Sequence, residues 1–155
     1  MRMDKFTSKF QMALADAQSL AVGRDHQFIE PIHVMAALLE QDSSTVRHLA
    51  ATTGCNVDLL VSKLHEELDR MPRVEGTAGD VQISNDLGRL LNVTDKLAQT
   101  HKDQYISSEL FVLAAIEDKG RLGELLRSCN LDKETMEKAI DAVRGGQKVD
   151  DPNAE

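Results

Sequence analysis

Shifting the chain against itself by 77 residues lays Phe6–Glu40 on Ile83–Glu117 without a gap. Of these 35 pairs seven are identical, among them Leu14/Leu91, Gln27/Gln104, Ile29/Ile106 and Glu40/Glu117. Conservative pairs such as Thr7/Ser84, Phe10/Leu87, Phe28/Tyr105 and Val34/Phe111 extend the match. After a short deletion Cys55-Asn-Val-Asp58 lies on Cys129-Asn-Leu-Asp132. Self-similarity on this scale means one supersecondary unit used twice, each copy needing the other to bury its apolar face. A chain of 155 residues then makes one domain, or two small halves sharing a core. At that length about 68–70% of the unfolded surface can be buried without disulfide or metal staples.

The unit is helical. Phe6, Phe10, Ala13, Leu14, Ala17, Leu20 and Ala21 recur at helical spacing from near Asp4 to Ala21, and Gly23 closes that helix. Pro31 opens a second helix at the position where a missing N–H costs nothing. A third is short, about Thr45–Thr52, and ends at Gly54. A fourth starts at Asn56 or Asp58, carries Val57, Leu60, Val61, Leu64 and Leu68, and stops at Pro72. The second copy predicts helices over Ser84–Gln99, Ser108–Asp118, Arg121–Ser128 and Asp132–Arg144, with Gly145-Gly146 as terminator. The expectation is an all-α fold of two pseudo-symmetric four-helix repeats, residues 4–71 and 83–146. The Pro- and Gly-bearing loop Met71–Asp80 joins them. Residues 147–155 read as a mobile linker toward something that follows.

Composition removes several functional classes. Eighteen Lys and Arg against 26 Asp and Glu leave a net charge of −8, which repels nucleic acid and anionic membrane. Aromatics at 3% disfavour a base-stacking surface. Cys55 and Cys129 are too few for a disulfide scaffold and lack zinc spacing. No 18-residue apolar run spans a membrane, and Met1-Arg-Met-Asp-Lys5 opens onto no apolar signal. The expected location is the cytoplasm.

Catalytic chemistry finds little support. Glu30-Pro-Ile-His33 has the Glu-x-x-His spacing of di-iron bundles, but the second copy has Ser107-Ser-Glu-Leu110 and supplies no partner set. A capping Glu and a packed His is the simpler reading. No phosphate-binding Gly-x-x-x-x-Gly-Lys-Ser/Thr loop and no Gly-x-Ser-x-Gly elbow occur. Cys129, in an apolar-flanked helix end, reads as an inert buried thiol. Thr7 and Ser84 hold equivalent places as helix N-caps. Asp103 and Glu109 flank the entry to the second helix of copy two, where a first-turn carboxylate suits the helix dipole. For Leu14, Leu91 and Leu110 core packing is the ordinary reading.

The run Phe28-Ile-Glu-Pro-Ile-His-Val-Met-Ala-Ala-Leu-Leu-Glu40 and its copy Tyr105-Ile-Ser-Ser-Glu-Leu-Phe-Val-Leu-Ala-Ala-Ile-Glu117 resemble the doubled helical motif of the Clp N-terminal domain family. Met1-Arg-Met-Asp, Lys9–Ala21, Val74-Glu-Gly-Thr, Asp95-Lys-Leu-Ala-Gln99, Ile106–Ala115 and Arg144-Gly-Gly resemble those members that serve ATP-driven protein disaggregases. The resemblance spans nearly the whole chain. It implies a substrate-binding domain, not itself an enzyme and with no cofactor of its own, attached to ATPase modules that use ATP and Mg. It implies unfolded or aggregated polypeptide as ligand and a homohexameric AAA+ ring working with the DnaK chaperone system, the isolated domain being a monomer. It also places substrate contacts at Thr7, Ser84, Asp103 and Glu109, beside an apolar groove lined by Leu91 and Leu110. The other reading within the family is an adaptor or degron receptor of an unfoldase that feeds a protease. Members of that kind carry a Glu before the His of the motif in both repeats. Here Ile32 stands in the first and only Glu109 remains, which argues against a paired phosphoarginine reader.

Overall fold

The computed structural model describes residues 2–75 and 81–155. Of the joining loop, residues 76–80 lie outside the described residues, as does Met1. Among the described residues the order is α1 (Ser8–Gly23), β1 (Phe28–Ile29), α2 (Pro31–Glu40), α3 (Thr45–Thr52), α4 (Val57–Arg70), β2 (Gln82–Ile83), α5 (Asn85–Thr100), α6 (Ser108–Ile116), α7 (Arg121–Ser128) and α8 (Lys133–Arg144). The all-α expectation holds, with four helices in each repeat.

The second helix of each repeat is the centre of the molecule. Every residue of α6 is buried, and so is α2 from Pro31 to Leu39. A helix apolar on all sides needs neighbours on all sides. α1 and α4 pack on α2, and α5, α7 and α8 pack on α6. The repeats also interpenetrate. α3 lies against α6 and α8, and α4 against α7, so one continuous apolar core runs through both halves. On the surface Arg121 of α7 spans to Glu67 of α4, with Nη2 to Oε1 at 2.6 Å and Nε to Oε1 at 2.9 Å.

Helix ends follow local chemistry. Thr7, Ser44, Asn56, Ser84 and Asp132 each accept a backbone N–H at the start of a helix. Gly145 closes α8 at φ 57°, a left-handed cap. Gly123 is required by contact: a Cβ there would overlap the Asp118 carbonyl oxygen at the turn into α7.

Three details depart from the sequence reading. The first helix begins at Ser8, not near Asp4. Met3–Lys5 is a single 3-10 turn, and Phe6 is drawn into a parallel bridge with Ile106. Ile29 pairs with Ile83 in the same parallel sense. Phe6 and Ile83 are equivalent positions, as are Ile29 and Ile106. Each repeat therefore lends the residue before its first helix to the other's loop, and short-range periodicity carries no trace of such an exchange. The third departure is the segment 147–155. It folds back on the domain, with Val149 buried and its N–H on Asp103 Oδ1 at 3.0 Å.

Candidate functional site

Five of the six residues singled out from the sequence fall into two places. Asp103, Glu109 and Thr7 belong to a polar cluster where α8 and the returning segment cover the start of α6. Ser84 and Leu91 belong to the opposite side of α5, toward α1. Leu110 belongs to neither.

Arg144, the last residue of α8, organises the polar cluster. Its Nη1 lies 2.9 Å from Asp103 Oδ2, and its Nη2 lies 2.8 Å from Glu109 Oε1 and 3.1 Å from Ser107 Oγ. The Asp103 side chain is fully buried and that of Glu109 is 8% exposed. Burial works against the guanidinium charge. The hydrogen bond and charge of Glu109, joined by Asp103, outweigh it and hold the Arg144 pKa above its ordinary value. Thr7 caps α1 by accepting the Phe10 N–H at 3.3 Å, and its hydroxyl donates to the Glu155 carboxylate. The Ser108 N–H donates to the same oxygen at 3.0 Å. Burial first, and the Glu109 charge second, push the Glu155 carboxyl up. These groups are therefore internal partners of one another, not an open polar rim.

The equivalent place in repeat one has different chemistry. His26 stands where repeat two has Asp103, and His33 where it has Leu110. His33 Nε2 lies 2.8 Å from His26 Nδ1, both rings buried. The Glu30 N–H donates to His33 Nδ1 at 2.8 Å, completing a reciprocal capping box with the Glu30 side chain. That nitrogen thus carries no proton, and neutral His33 donates through Nε2 to His26. Burial, then the neighbouring His26 and Arg24, lower the His33 pKa to about 4. The capping Glu and packed His expected from the sequence are what the fold uses.

The apolar groove lies between α1 and α5. Met3, Phe6, Leu14, Ile83, Leu87 and Leu91 line a cavity of about 310 Å³. Gln11 and Gln18 supply polar groups at its walls. Phe6/Ile83 and Leu14/Leu91 are equivalent pairs, so the groove lies where corresponding faces of the two repeats meet. Ile83 is 51% exposed and Leu91 7%. Leu110 is the correction: at 0% exposure it is packed in the core beside the other α6 side chains and lines no part of the groove. Ser84 caps α5 beside the groove, with its Oγ accepting the Leu87 N–H at 3.0 Å.

Sequence reasoning missed Arg144 as the hub, Glu155 as a contact, and Phe6, Ile83 and Leu87 as groove residues. The internal alignment carried a signal for the last group, because helices that meet across a pseudo-dyad present matched positions. For Glu155 there was none.

The sequence profile of the Clp repeat (R) N-terminal domain matches residues 5–144 of this chain. The chain belongs to the Clp N-terminal domain family. Its Clp relatives include the chaperone protein ClpB of Vibrio cholerae, 58% identical over 100% of this chain and 18% of the relative. The ClpB of Pseudomonas putida is 49% identical over the same shares. The chain thus spans about a fifth of the length of the curated relatives it matches. The Clp fold itself recurs in the Hsp104 N-terminal domain from Candida albicans, with a TM-score of 0.85 at 20% identity, covering 97% of this chain and 98% of that one. It recurs in a ClpV N-domain solved as a complex with a VipB peptide, with a TM-score of 0.73 at 21% identity, covering 94% and 90%.

Proposed function

We propose that this chain is the substrate-engaging N-terminal domain of an ATP-dependent protein disaggregase, and that it holds exposed segments of unfolded or aggregated polypeptide in the α1–α5 groove before they pass to an AAA+ ring. One observation carries the reading: a groove of about 310 Å³ walled by Met3, Phe6, Leu14, Ile83, Leu87 and Leu91, with glutamines in place of charges. Such a site selects apolar content, not a particular sequence. The ClpB relatives are named chaperones, and a ClpV N-domain of the same fold takes a peptide.

Burying two to four apolar side chains supplies roughly 3–8 kcal/mol gross. Ordering an extended segment subtracts several kcal/mol, leaving a Kd on the order of 10 μM to 1 mM. Weak holding suits a hand-over, and six copies in a homohexamer would add avidity. ATP and Mg chemistry, and cooperation with a DnaK-type chaperone system, belong in this reading to the assembled protein in the cytoplasm. The test is an NMR titration of the isotope-labelled chain with a short peptide of Leu and Phe spaced by Ser. Shifts gathered on Leu14, Ile83, Leu87 and Leu91 support the groove. A saturating shift pattern elsewhere would overturn it.

A further inference from the structure

Residues 147–155 are held at three points. At the first, the Val149 side chain is buried, its N–H donates to Asp103 Oδ1 at 3.0 Å, and its carbonyl accepts the N–H groups of Gln104 at 2.8 Å and Tyr105 at 3.1 Å. At the second, the Ser8 N–H donates to the Pro152 carbonyl at 2.8 Å and Ser8 Oγ to Asn153 Oδ1 at 2.9 Å. At the third, the Glu155 carboxylate takes the Thr7 hydroxyl and the Ser108 N–H.

This attachment is thin for its length. Val149 is the one buried apolar side chain of the segment, and ordering so many residues is opposed by chain entropy. The third point is also costly. Glu155 is buried near a second carboxylate, Glu109, and Glu155 Oε1 and Glu109 Oε2 are buried with no hydrogen-bond partner. A segment held this way opens separately from the core beneath it. What it grips is the start of α1. Thr7 and Ser8 hold the segment, while Phe6, the next residue, is a wall of the groove.

We propose that residues 147–155 form a releasable strap that clamps the start of α1, so that strap docking and filling of the α1–α5 groove favour each other. This rests on the groove being the peptide site. Docked, the strap fixes Thr7 and Ser8 and with them the Phe6 wall. Released, it loosens that wall, which then rests on its Ile106 bridge and its packing on Phe10, and uncovers Asp103, Glu109 and Arg144 together. Coupling of this kind is reciprocal: whatever the strap adds to peptide affinity, peptide adds to strap docking.

Amide exchange on the 155-residue chain tests the strap. The amides of Ser8, Gln104, Tyr105 and Val149 should exchange together, well before those of Leu38 and Leu60. Val149→Asp should remove their protection and leave Leu38 and Leu60 unchanged. Glu155→Gln keeps an acceptor and removes the charge beside Glu109, and should raise strap protection severalfold. Coupling is read with the Leu/Phe/Ser peptide. It should raise strap protection in the wild-type chain and bind Val149→Asp about fivefold or more weakly, near the lower end of typical couplings. Strap amides exchanging only with the core, or unprotected in the wild type, overturn the strap. Peptide binding at equal affinity in wild type and Val149→Asp overturns the coupling alone. A peptide that binds neither chain while the strap amides behave as stated overturns the groove, and the coupling with it.

Discussion

Arg144 Nη1 lies 2.9 Å from Asp103 Oδ2, and the Asp103 side chain has no exposure to solvent. The pair joins the end of the last helix to the loop before α6, 41 residues earlier. Removing one member of a buried ion pair strands the other charge. Arg144→Met leaves Asp103 and Glu109 uncompensated and should cost about 3–5 kcal/mol. Urea denaturation checks this: the midpoint should fall with the slope unchanged. Adding Asp103→Asn to Arg144→Met should recover part of the loss, and full additivity of the two would contradict the pairing.

The His26–His33 pair makes stability depend on pH in one direction. His33 is lowered from 6.5 to about 4 in the folded chain. A depressed histidine is neutral when folded and takes up a proton on unfolding, so its contribution is complete above 6.5 and is lost as pH falls from 6.5 toward 4. The loss should reach about 3 kcal/mol. Replacing both His26 and His33 by Leu should flatten stability between pH 7 and pH 4.5 in denaturant titrations. A wild-type curve already flat over that range would refute the assignment.

The groove and the core respond differently to charge. Ile83 is half exposed in the groove, whereas Leu110 is fully buried. Ile83→Asp should keep its helical circular dichroism and lose the peptide-induced shifts. Leu110→Asp should lose cooperative unfolding altogether, because an unpaired charge would sit in an apolar interior. A folded Leu110→Asp chain lacking only peptide binding would restore Leu110 to the groove.

The two equivalent caps differ in their second contacts. Ser84→Ala removes a cap from α5 and should cost about 1 kcal/mol. Thr7→Ala removes the α1 cap and also the hydroxyl that donates to Glu155, so it should cost more. Thermal melts of the two variants make the comparison, and equal costs would mean that the Glu155 contact contributes nothing.

Gly123 admits no side chain. Its missing Cβ would overlap the Asp118 carbonyl oxygen and approach that of Ala115 at 2.9 Å. Gly123→Ala must push α7 away from the end of α6 and should lower the melting temperature despite the better helix propensity of alanine. Gly23→Ala, with open space around it, is the control and should be near neutral.

Much of this molecule was legible in one dimension. The repeat, the eight α-helices of the described residues and most of their caps follow from apolar spacing and from Ser, Thr, Asn, Asp, Pro and Gly at helix ends, because those forces act within a few residues. Thr7 and Ser84 as caps and Glu30–His33 as a packed capping pair were readable for that reason. What lay beyond reach depends on which helix faces which. Leu91 lies on the apolar face of amphipathic α5 and Leu110 on the wholly buried α6, and one walls a groove while the other is sealed in the core. That difference is set by α8 and α3 closing over α6 while α5 keeps a face toward α1. The exchange of Phe6 and Ile83 between repeats, and the return of residues 147–155 onto Asp103, Thr7 and Ser108, join positions far apart in the chain. Composition marked the last segment as one that would stay loose. Tertiary contact decided otherwise, because a buried valine and an aspartate that accepts its N–H are available only once the helices have assembled.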